Sequence, residues 1–88
     1  MERRELTAAI LRYLVKHPDT GDSIEGIARW RLLQDKIDAT VDQVSEIVQE
    51  LSTRGMVVEK EIPGGTRIYY LNKVKIQAVR KLLNELAG

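Results

Sequence analysis

Mainly α with a single β-hairpin is the fold class that this 88-residue chain predicts, and three features of the stretch 40–72 carry most of it. Val44, Ile47, Val48 and Leu51 recur at three- and four-residue steps, which places one apolar stripe along a helix. Gly55 follows where a left-handed residue would close that helix, and the period then changes to strand-like runs at 57–62 and 67–71, rich in Val, Ile and Tyr. Between those runs, Pro63-Gly64-Gly65-Thr66 has the composition and length of a hairpin turn.

The first helix is expected over about 3–17, because Leu6, Ala9, Ile10, Tyr13 and Leu14 trace one buried face. Pro18 ends it, since the residue before a proline is driven out of the helical region, and Asp19, Thr20, Gly21 and Asp22 continue as a turn. His17 at that end reads as a cation favoured by the helix dipole. The second helix is expected over about 23–33. Asp22 and Glu25 have capping-box spacing, with Ser23 as the other candidate cap. Its apolar residues, among them Ile24, Ile27, Ala28 and Leu32, spread too widely for one stripe, which fits a helix with two neighbours or one that breaks around 33–38. Trp30, the only tryptophan, reads as a large residue closing the edge of a small core, the alternative being a partner-facing contact.

The third helix is expected over about 41–54, opened by Thr40 and Gln43 at capping-box spacing, and the hairpin over about 57–71. Asn72 can cap a last helix over about 73–87, whose apolar face is Ile76, Val79, Leu82, Leu83 and Leu86. Lys73 and Lys75 stand in its first turn, where the dipole disfavours cations by a few tenths to about 1 kcal/mol.

Size and composition fit one soluble domain with one core: 43% hydrophobic, 31% charged, and no cysteine for disulfides or thiolate metal sites. The charged first residues and the break in the apolar run at Arg12 fit neither a signal peptide nor a membrane span, so a cytoplasmic protein with no membrane partner is the expectation. Fourteen basic against thirteen acidic residues give a formal charge of +1, so charge has to be read locally. One histidine, no phosphate-binding loop with lysine and no paired carboxylates in an acid/base setting point away from an enzyme, with no catalytic residue, metal or cofactor expected.

The order helix, helix, helix, hairpin, helix resembles the winged-helix domain, the helix-turn-helix variant in which the third helix reads DNA and the hairpin is the wing. Val44, Val48, Leu51, Gly55 and Val57 match the spacing of the third helix and wing in small bacterial and archaeal winged-helix regulators. Gly65-Thr66-Arg67-Ile68-Tyr69-Tyr70-Leu71-Asn72 likewise looks like their second wing strand, and Ile27-Ala28 like the small-residue step of their second helix. Ala28 lies sixteen residues before Val44, where the family spaces the pair by about ten, so the second-helix region is expected to be enlarged. The resemblance implies a three-helix winged helix-turn-helix core plus a C-terminal helix, a transcriptional regulator with third helix and wing at the DNA, and dimerisation through the last helix.

With its stripe buried, the third helix turns Asp42, Gln43, Ser45, Glu46, Gln49, Glu50, Thr53 and Arg54 outward, three acids and one base. Carboxylates oppose a phosphate backbone, so surrounding bases must compensate. The candidates are Arg29, Arg31 and Lys36 around the second helix, Arg54 at the end of the third, and Lys60 and Arg67 on the wing. Gln43 and Gln49 can address adenine edges and Ser45 either partner of a pair, although a solvated helix face explains these residues equally well. Ile76, Val79, Leu83 and Leu86 are candidates for a homodimer contact, or for completing the core. Two partners thus stand side by side: double-stranded DNA, or a protein docking on an acidic third helix without DNA contact.

Overall fold

The structure, a computed structural model, describes residues 3–31 and 40–87, with Trp30 and Arg31 as backbone only. The expected break around 33–38, Lys36, and the side chains of Trp30 and Arg31 lie outside the described residues.

Helix α1 (Arg3–Lys16) buries Leu6, Ala8, Ala9, Ile10, Leu11, Tyr13 and Leu14. That is more than the one face its spacing suggests, because α1 is packed on several sides; its exposed residues are Arg3, Arg4 and Glu5 in the first turn and Arg12 and Lys16 further along. After the turn at Pro18, helix α2 (Ile24–Gly26) passes directly into a π-helical turn (Ile27–Arg31). Its cap is Ser23, whose hydroxyl accepts the Gly26 N–H at 3.0 Å. Asp22 and Glu25 do not form the cap: the Asp22 carboxylate accepts the Ser23 N–H at 2.7 Å, and its backbone is engaged elsewhere.

Helix α3 (Val41–Thr53) opens on both arms of the capping box, Gln43 N–H to Thr40 Oγ1 at 3.2 Å and Thr40 N–H to Gln43 Oε1 at 2.9 Å. It closes at Gly55, with φ of 79°, where the N–H groups of Met56 and Gly55 return to the carbonyls of Leu51 and Ser52. Strands β1 (Val57–Glu61) and β2 (Arg67–Leu71) then pair antiparallel, Val57 opposite Leu71 and Glu61 opposite Arg67. The turn closes with Gly65 N–H on the Ile62 carbonyl at 3.1 Å. The last segment starts as a 3-10 turn (Lys73–Lys75), set by the Asn72 side chain accepting the Val74 N–H at 3.2 Å, and continues as α4 (Ile76–Ala87).

One core joins these elements: Ile10, Leu11, Leu14, Ile27, Val44, Val48 and Val79 are fully buried within it. The fold is therefore mainly helical with one two-stranded hairpin. Among the described residues no helix is long and apolar enough to cross a membrane.

Candidate nucleic-acid interface

Two sets of hydrogen bonds fix the hairpin against the helices. Asn72 donates from its side chain to the Gly55 carbonyl at 2.8 Å and from its backbone to the Met56 carbonyl at 2.9 Å, which ties the end of β2 to the end of α3. On the other edge of β2, Asp22 and Tyr69 exchange both backbone hydrogen bonds, at 3.0 and 2.8 Å. The segment between α1 and α2 thus adds a one-residue third strand to the sheet. The hairpin is held at a fixed distance from both α2 and α3.

Between them lies an open groove of about 390 Å³. It is lined by Ile24 and Glu25 of α2, Val41, Asp42 and Ser45 of α3, and 65–67 with Tyr69 on the hairpin. Its floor is Tyr69, only 4% exposed. The Tyr69 hydroxyl donates to Glu59 Oε1 at 3.1 Å, and Arg67 Nη1 donates to the same oxygen at 2.9 Å. Burial first, and then the bond and charge of Glu59, push the Tyr69 phenol above its usual value, while the Arg67 charge and then Gln49 act in the opposite direction. The bond and charge of Glu59 push the Arg67 guanidinium still higher, so it stays a cation, but one already partnered.

The expected wing bases do not converge. Strand parity and register put Arg67 opposite Glu61 on the face that carries Glu59 and Tyr69, whereas Lys60, opposite Ile68, projects from the other face. Gln43 is exposed but its Oε1 belongs to the capping box, so bidentate contact with an adenine edge would break the cap. Ser45 is half-buried in the groove, Gln49 is exposed beside Tyr69, Arg54 is exposed at the far end of α3, and Arg29 is exposed on the π-helical turn.

Arg3 is the residue that sequence reasoning missed. Its guanidinium donates to Glu50 Oε2 at 2.5 Å and lies 3.7 Å from Glu46, so it screens two of the three acids on the outward face of α3. The pair is exposed and therefore contributes about 0–1 kcal/mol, but it alters the local charge that a partner meets. A contact spanning 47 residues leaves no local signal in the sequence.

On α4, Val79 is fully buried in this chain's own core and is closed to a second copy in this arrangement. Ile76, Leu83 and Leu86 are half-buried against the same core.

Compared with known proteins, the chain matches no family model, no curated protein and no solved structure.

Proposed function

We propose that the chain is a winged-helix domain of the small-regulator type, contacting duplex DNA with α3 and the hairpin as its wing. The observation that carries the reading is the groove: the polar face of α3 and the hairpin stand on either side of it, and the hairpin is locked to α2 and α3 at both edges of β2. Arg29, Arg54, Lys60 and Arg67 are exposed around these elements and supply the phosphate contacts, Lys60 from the opposite face of the hairpin and Arg67 by exchanging Glu59 for a phosphate. Four neutralised phosphates correspond to a salt slope of about −3.6, so one copy binds weakly and sheds DNA steeply as salt rises. A second copy, meeting the half-buried edge of Ile76, Leu83 and Leu86, doubles the contacts.

One observation favours a second reading. Asp42, Glu46 and Glu50 are exposed along α3, and Glu25 adds a carboxylate to the groove. A basic protein surface complements that face better than a phosphate backbone does. Titration against mixed-sequence duplex DNA at low and physiological salt, with the solution mass measured alongside, separates the two. DNA binding predicts salt-sensitive association, weakened by Lys60→Glu with Arg67→Glu. No association at low salt overturns it and leaves the protein-partner reading.

A further inference from the structure

We propose that the side of the molecule formed by α1 and α4 is a second phosphate-contacting surface, suited to a nucleic-acid backbone. Arg4 Nη2 donates to the Glu85 carbonyl at 3.0 Å, and Lys73 pairs with the Asp19 carboxylate. These contacts lie at opposite ends of α1, so they set α1 and the segment 73–87 antiparallel and side by side. The exposed bases that form the proposed strip are Arg4, Arg12 and Lys16 from the first element and Arg80 and Lys81 from the second. Lys75 is set apart from them, its side chain lying beside Gly55 at the end of α3.

Two exposed acids, Glu5 and Glu85, accompany these five bases, which leaves a net charge of +3; Lys73 and Asp19 cancel each other. The whole chain is only +1, so all its other residues together carry −2. The positive charge is thus concentrated away from the groove, where sequence reasoning looks for it. Among the described residues no ion pair engages any of the five. A 14-residue helix is about 21 Å long and packs about 8–10 Å from its neighbour. The strip is therefore long enough to follow several successive phosphates. A lipid surface is a poorer fit, because among the described residues Val74 is the one large apolar residue exposed near these bases and offers little to insert among acyl chains.

The surface is independent of the wing, and one experiment tests both. The whole chain, Arg12→Glu with Arg80→Glu, and Lys60→Glu with Arg67→Glu are titrated by fluorescence anisotropy against the same mixed-sequence duplex over a range of low salt. The proposal expects the Arg12/Arg80 pair to bind at least tenfold more weakly, with a salt slope shallower by about 2. An effect under threefold overturns it, even if the wing pair abolishes binding and so upholds the groove. Loss with the Arg12/Arg80 pair but not with the wing pair upholds the strip and removes the groove. No duplex binding by the unaltered chain at low salt overturns the proposal, as does binding to phosphatidylserine vesicles alone. Circular dichroism confirms folding, and Lys16→Glu with Lys81→Glu repeats the test if the first pair does not fold.

Discussion

Gly21→Ala should be among the most damaging single substitutions in the turn and hairpin regions. Gly21 has φ of +57°, and a Cβ there would stand 2.1 Å from the Tyr69 carbonyl oxygen and 2.7 Å from the Tyr70 Cβ. The left-handed conformation alone costs an alanine about 1 kcal/mol. Relieving the overlap means separating this turn from β2, which breaks the two backbone hydrogen bonds between Asp22 and Tyr69, at about 1 kcal/mol each. The expected loss is about 3 kcal/mol, a large part of the roughly 4 to 13 kcal/mol that a chain of this size commands. It corresponds to a fall in melting temperature of about 12–24 °C. Thermal and urea unfolding followed by circular dichroism measure it. Gly64→Ala is the control, because Gly64 also has positive φ but nothing lies within 4 Å of a Cβ there; it should cost only about 1 kcal/mol. If Gly21→Ala is no more damaging than Gly64→Ala, the third-strand bridge does not hold the hairpin.

Thr40→Ala removes the arm of the capping box in which Thr40 Oγ1 accepts the Gln43 N–H and should lower stability by about 1 kcal/mol, seen as a lower urea midpoint with unchanged slope. Leu51→Ala, at a site 1% exposed, should cost about 2–5 kcal/mol, whereas Val74→Ser, at a site 88% exposed, should stay within about 0.5 kcal/mol. The raised phenol of Tyr69 gives a pH signature. Its contribution is complete below the ordinary phenol value of about 10 and is lost as pH climbs through the higher folded value, because the unfolded chain gives up its proton first. Urea unfolding at about pH 9 and pH 11 should show a decline that Tyr69→Phe reduces; an identical decline in both proteins would remove Tyr69 as its source.

Local chemistry was legible where it was self-contained. Thr40 with Gln43, the glycine after α3, the Pro-Gly-Gly turn and the Asn72 cap each involve residues close in sequence, and each forms. Ser23 rather than Asp22 caps α2 because the Asp22 backbone is drawn into the sheet by Tyr69, and an isolated bridge has no periodicity to betray it. The extent of burial around α1 was hidden for a similar reason: a central helix is covered by elements distant in the chain. In the candidate site, the residue types were visible but not their engagements. Arg67 is held by Glu59, Gln43 by Thr40, and Glu50 by Arg3. The division of Lys60 and Arg67 between two faces depended on the register, which the turn length alone leaves open.

The central claim, that α3 and the hairpin face DNA across their shared groove, is tested most directly by following backbone amide resonances while a mixed-sequence duplex is added at low salt. The account expects Ser45, Thr66 and Arg67 to shift progressively to saturation and to return as salt is raised. Unmoved resonances at these three positions, in a sample whose other amides show the duplex to be bound, would contradict it.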